Sequence, residues 1–178
     1  DKVNLEDIVK VVDVLYDAWK DSRHVFVFGN GGSASTASHF ASDLGKGTLS
    51  GVYDPDEKRF RVISLVDNVA LFTAYGNDLS YADVFSQQLL NLVMEGDVVL
   101  GITGSGNSPN IIRAIETAKQ KKAVTIAFLG FDGGKVKSMV DYSVHIESNH
   151  YGRVEDMHLM LNHIITSYLK EKINGRRS

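Results

Sequence analysis

Cysteine is absent from the 178 residues and proline occurs only twice. Without thiols the chain can form no disulfide, no cysteine nucleophile and no thiolate metal site, which fits a reducing compartment. Long apolar runs are missing as well, none approaching the roughly 18 residues of a membrane span. The opening DKVNLEDIVK is acidic and amphipathic rather than signal-like, so a cytoplasmic location without a membrane partner is expected. Asp1 stands where a Met would start a chain, and a few further residues ahead of it are expected. Basic excess is also lacking. The formal net charge is -3 and the cations are scattered, apart from short clusters at 119–122 and Arg176–Arg177, so nucleic acid is not expected as a ligand.

What is present is the composition of a compact folded protein, with 43% hydrophobic and 23% charged residues and 16 glycines. A chain of this size buries roughly two thirds of its unfolded surface without staples, so one domain over residues 1–178 is expected. Leu5, Ile8, Val9, Val12, Leu15, Tyr16 and Trp19 recur at three- and four-residue steps and predict a helix over 5–20. Short runs rich in β-branched residues predict strands at 24–29, 60–66, 97–103, 123–130 and 142–147. Helical patterns lie between them at 34–44, 68–75, 81–94, 108–121 and 134–140, and a last helix spans about 153–173. Such alternation means βαβ units and a parallel sheet covered on both faces. Residues 45–59 lack periodicity and read as one long loop.

Two glycine-rich turns join strand to helix: GNGGSAS after the first strand and TGSGNSPN after the third. In an open parallel sheet ligands bind at the carboxyl ends of strands, and helix N-termini attract anions. Glycine admits close approach, while Ser and Asn donate to phosphate or sugar oxygens. Each turn can equally be an ordinary strand-to-helix connection, with Ser108 capping its helix and Pro109 at the first helical position. No Gly-Lys-Ser/Thr follows, and the spacing is not that of a dinucleotide fingerprint, so a small phosphorylated ligand is the better expectation. The helix after the first turn carries His39 and Asp43 one turn apart, either a surface polar pair or two metal ligands. The last helix carries Glu155, His158 and His163, and Glu155-x-x-His158 is half of a di-iron motif whose other half is missing.

GNGGSAS, VLGITGSGNSPNIIRA, AYGND at 74–78 and RVEDMHLMLNH, in that order, resemble the sugar isomerase (SIS) domain of the phosphoheptose isomerases, also called sedoheptulose-7-phosphate isomerases. The resemblance covers nearly the whole chain. It implies a three-layer, flavodoxin-like α/β SIS domain with a five-stranded parallel sheet and an added N-terminal helix. It also implies an aldose–ketose isomerase, converting sedoheptulose 7-phosphate to glycero-manno-heptose 7-phosphate through an enediolate, in a homotetramer with sites at subunit interfaces.

By the same resemblance Thr103, Ser105, Asn107 and Ser108 bind phosphate, with Gly104 standing where the family has Thr, so that one hydroxyl is missing. Asn30 and Ser33, with Gly31 and Gly32 of their turn, and Asp78 face the sugar. His39, Asp43, Glu155 and His163 form a zinc site, with Asp for the family's Glu at 43 and Glu for its Gln at 155. Oxygen and nitrogen ligands of this kind suit zinc. The shorter Asp43 weakens its assignment as the base, and Glu155 can share or take that role, with His163 as second acid/base and His158 supporting or packing. Two rivals share the fold: DnaA initiator-associating binding tetramers, which lack the acid and the terminal His that Asp43 and His163 supply here, and a phosphosugar-binding sensor.

Overall fold

A computed structural model describes residues 3–51 and 53–175, so the Arg176–Arg177 cluster lies outside the described residues. Helix α1 (Leu5–Lys20) starts where the Asn4 side chain accepts from the Glu6 amide at 3.0 Å, satisfying one of the free N–H groups of the first turn. Of the predicted stripe, Ile8, Val12, Leu15 and Tyr16 are buried, joined by Val11, while Leu5 and Val9 stay exposed.

Strands β1 (His24–Gly29), β2 (Arg61–Ser64), β3 (Val98–Thr103), β4 (Val124–Leu129) and β5 (Tyr142–His145) form one parallel sheet in the order β2-β1-β3-β4-β5. Successive side chains point to opposite faces. Val25 and Val27, Leu100 and Ile102, and Ile126 and Phe128 therefore enter one core with α1, α2 (Gly32–Ser42) and α6 (Tyr151–Asn174). Phe26, Phe28, Val99, Ala127 and Leu129 enter the other, with α4 (Ser86–Leu92) and α5 (Pro109–Gln120). Burial on both faces is why the interior strands read as continuous apolar runs.

Several expected boundaries shift for local reasons. The edge strands are shorter than predicted, because each has a ladder partner on one side only. The predicted helix at 81–94 is divided into a 3₁₀ turn at Tyr81–Asp83 and α4, the turn being closed by Ser80 Oγ donating to Asp83 at 2.5 Å. The predicted helix at 134–140 is a single 3₁₀ turn, Lys135–Ser138, entered through Gly133 and Gly134, both at positive φ. Conversely α2 continues as a π-helical turn over Asp43–Gly47, into the segment predicted as loop. Helix α3 (Val69–Asp78) has no buried residue despite its apolar sequence.

The strand order reverses direction at β1, which has β2 on one side and β3 on the other. A crevice opens at such a switch point beyond the carboxyl ends of the two strands. Both glycine-rich turns lie there. No helix among the described residues is long and apolar enough to cross a membrane.

Candidate active site

The two turns are tied together by a side-chain pair. Asn30 Nδ2 donates to Asn110 Oδ1 at 2.9 Å, and Asn110 Nδ2 donates back to Asn30 Oδ1 at 2.8 Å. Tyr81 adds a third bond, its hydroxyl donating to Asn30 Oδ1 at 3.0 Å. Asn110 is buried and its Oδ1 also receives the Ile111 amide at 3.0 Å, so Asn30 is held rigidly at the mouth of the crevice. Asn110 and Tyr81 were not singled out from sequence; the signal for Asn110 was an amide in the first turn of a helix where an apolar or acidic residue is ordinary.

The second turn is braced from the side. Thr103 Oγ1 accepts from the Gly106 amide at 3.2 Å and Ser105 Oγ from the Asn107 amide at 3.3 Å. Asn107 donates to the Ser105 carbonyl at 3.0 Å and accepts from the Lys135 amide at 3.1 Å. These two bonds hold the Asn107 side chain against the backbone and leave its second Nδ2 hydrogen for a ligand. Gly106 has φ +63°, and a Cβ there would collide with the Gly133 carbonyl. Only glycine lets this turn dock on the β4 turn. Ser108 is at the N-cap of α5 but makes no capping bond with its side chain, so its hydroxyl is not used as the capping alternative supposed.

Asn30, Ser33, Thr103, Gly104, Ser105 and Ser108 line one crevice of about 220 Å³, together with Ile102, Tyr151 and Glu155. Gly31 borders a neighbouring hollow beside Phe72 and Tyr81. Gly32 underlies Glu155, whose carboxylate lies 2.7 Å from where a Cβ at 32 would stand. A side chain at 32 would expel the carboxylate. Asp78 is exposed at the end of α3, accepts from Asn77 at 2.8 Å, and does not line the crevice of its own chain.

Of the four expected metal ligands the structure gathers three. Donor atoms of His39, Asp43 and His163 all lie within 4.8 Å of one another. Asp43 Oδ2 is 3.3 Å from His39 Nε2 and 3.3 Å from His163 Nδ1, and accepts from Asn162 Nδ2 at 3.2 Å. Ligands about 2 Å from a tetrahedral ion are about 3.3 Å apart, so this nitrogen and oxygen set fits zinc. Asn162, buried and accepting from Thr166 at 3.4 Å, orients the carboxylate from behind. The cluster opens to solvent, with His39 44% and His163 53% exposed. Glu155 precedes His163 by two turns of α6, a rise of about 12 Å, and is not in the cluster. Its carboxylate lies instead in the crevice beside Gly32.

Three other histidines have structural duties. His158 is fully buried, its Nε2 against the Leu129 carbonyl at 3.2 Å and its Nδ1 without a partner among the described residues; burial lowers its pKa to about 4. His150 caps α6, accepting from the Arg153 amide at 3.3 Å. His145 links Lys137 at 3.1 Å to the Phe131 carbonyl at 3.0 Å.

Residues 2–130 match the SIS domain family. The chain is 38% identical over 170 residues to a probable phosphoheptose isomerase of Thermoplasma acidophilum, spanning 96% of this chain and 91% of that protein. It is 36% identical over 171 residues to the phosphoheptose isomerase of Aquifex aeolicus, spanning 96% and 87%. Among solved structures, the phosphoheptose isomerase of Neisseria gonorrhoeae superposes with a TM-score of 0.85 at 29% identity, over 93% of this chain and 86% of that one. With motifs, sheet order and relatives in agreement along almost its whole length, the chain belongs to the SIS-domain phosphoheptose isomerase family of enzymes.

Proposed function

We propose that this enzyme is an aldose–ketose isomerase converting sedoheptulose 7-phosphate to glycero-manno-heptose 7-phosphate. The observation that carries this reading is the Glu155 carboxylate sharing one crevice with the hydroxyl-rich turn before α5. The phosphate is held by Thr103, Ser105 and Ser108 at the positive end of α5, where Pro109 removes no needed donor. Anchored there, the sugar extends along Asn30 and Ser33 towards Glu155, and binding energy at the phosphate orients the reacting end.

Glu155 then takes the proton from C1, beside the C2 ketone. The resulting enediolate accepts a proton at C2 while the hydroxyl proton moves from O1 to O2, giving the aldose with no net change in composition. His39, Asp43 and His163 would hold one zinc ion, which when bound would supply Lewis-acid stabilisation of negative charge. We read His163 as a ligand rather than a free acid, because its Nδ1 is 3.3 Å from Asp43. The enzyme works in the cytoplasm as a homotetramer, and the exposed Asp78 of one subunit serves the crevice of a neighbour.

Turnover of a panel of ketose phosphates, with and without added zinc, tests this. Zinc-stimulated conversion of sedoheptulose 7-phosphate is expected. Binding of phosphosugars without turnover of any would leave a sensor instead.

A further inference from the structure

Position 104 has no side chain, and the space above it is occupied. Tyr151, the first residue of α6, lays its ring edge 3.1 Å from where a Gly104 side chain would begin, and it lines the same crevice as Thr103, Ser105 and Ser108. The ring packs on Phe131 with centroids 4.6 Å apart. Phe131 is itself fixed: its amide donates to the Ser148 carbonyl at 3.0 Å and its carbonyl faces His145 Nε2 at 3.0 Å. His150, capping the helix immediately before Tyr151, fixes the backbone from the other side. Yet the Tyr151 hydroxyl has no partner among the described residues, and the residue remains 58% exposed. An aromatic ring held on two sides, with an unused donor at the rim of a crevice lined by hydroxyls, is built to meet a ligand.

We propose that Tyr151 is a substrate-contacting residue, its hydroxyl donating to a phosphate oxygen and standing in for the hydroxyl that position 104 lacks. The proposal rests on the phosphosugar reading of the crevice and adds a residue to it. Gly104 and Tyr151 then form one unit: a Cβ at 104 would press on the ring edge at 3.1 Å, so the ring must give by a few tenths of an ångström and a larger side chain crowds it further. A hydrogen bond to a charged phosphate contributes more than one between neutral groups.

Calorimetric titrations with sedoheptulose 7-phosphate and, separately, with inorganic phosphate test the assignment. Tyr151→Phe keeps the packing on Phe131 and removes only the hydroxyl; it is expected to weaken both ligands about tenfold with thermal unfolding unchanged. Gly104→Thr should weaken binding by pushing the ring aside. The combined Gly104→Thr/Tyr151→Ala protein, with the hydroxyl moved to 104 and the space vacated, should recover to within about threefold of the parent. Unchanged affinity of Tyr151→Phe, while the parent binds the sugar phosphate, overturns the proposal and leaves the isomerase reading intact. Weakening for the sugar phosphate but not for inorganic phosphate overturns the phosphate contact. A parent protein that binds neither overturns both readings.

Discussion

In the proposed mechanism Glu155 is the base and Asp43 a zinc ligand, and their surroundings differ accordingly. Asp43 Oδ2 is surrounded by His39, His163 and Asn162, whereas Glu155 faces the crevice across Gly32. Glu155→Gln should therefore lower turnover by roughly 10²-fold or more while zinc content, measured by metal analysis, is retained. Asp43→Asn should reduce bound zinc as well as turnover. A mild Glu155→Gln phenotype, together with lost exchange of the substrate α-proton in Asp43→Asn, would return the base to Asp43. His158 supports a separate prediction. Its protonated form would put a charge and a second N–H, at the unpartnered Nδ1, into the core. Burial lowers its pKa from 6.5 to about 4, so between those values the unfolded state binds a proton that the folded state refuses. Stability contributed by this group is thus intact above pH ~6.5 and falls as the pH drops towards ~4, by up to about 3 kcal/mol in all. Denaturation of His158→Gln, which keeps a donor for the Leu129 carbonyl, should show a shallower decline over that window than the parent.

At the scale of elements, the β3–α5 turn is organised by its neighbours. Asn107 and Gly106 dock it on the turn after β4, and Asn110 ties it to Asn30. The turn enters binding already shaped, which reduces the ordering cost of holding a phosphate. Replacing Ser105 and Ser108 together by Ala should raise the Michaelis constant for a phosphorylated ketose more than about tenfold, with circular dichroism unchanged and melting only slightly lowered, because Ser108 makes no capping bond and Ser105 gives up only the 3.3 Å bond it accepts from the exposed Asn107 amide. An unchanged constant would remove both serines from the phosphate site. The π-helical turn that follows α2 belongs to the same scale, since it begins at Asp43 and packs on α6, which carries His163. Such turns widen a helix locally, often where a function is carried.

For the whole molecule, the distribution of exposed apolar surface argues for assembly. The apolar stripe on α1 is largely consumed by its own core, leaving Leu5 and Val9 outside. The stronger signal is elsewhere: α3 buries none of its residues, and Met160, Ile164 and Tyr168 form an exposed row on α6 beside His163 at 54%, 51% and 56%. Such patches on soluble proteins mark contact surfaces. Sedimentation at micromolar concentration should give a tetramer, and Met160→Lys with Ile164→Lys should dissociate it and lower activity together. A monomeric parent would count against the assembly and against a contribution of Asp78 to a neighbouring crevice.

The order of strands and helices was legible in the sequence because periodicity is a local property. VFVF and VVLGI are apolar on both faces because helices cover both sides, and α1 ends where its repeat ends. The two glycine turns were legible for the same reason, being contiguous motifs. The short edge strands, the broken helix at 81–94 and the π-helical continuation of α2 were not, since partner number and nearby side chains decide them. The site divides along the same line. His39 and Asp43 share a helix face by spacing alone, but their meeting with His163 and Asn162, more than a hundred residues away, depends on how α6 packs on α2. Tertiary packing alone put Glu155 over Gly32, turned Asn107 towards Lys135 and laid Tyr151 on Gly104, because each depends on where two distant backbones approach, a distance that no spacing along the chain encodes.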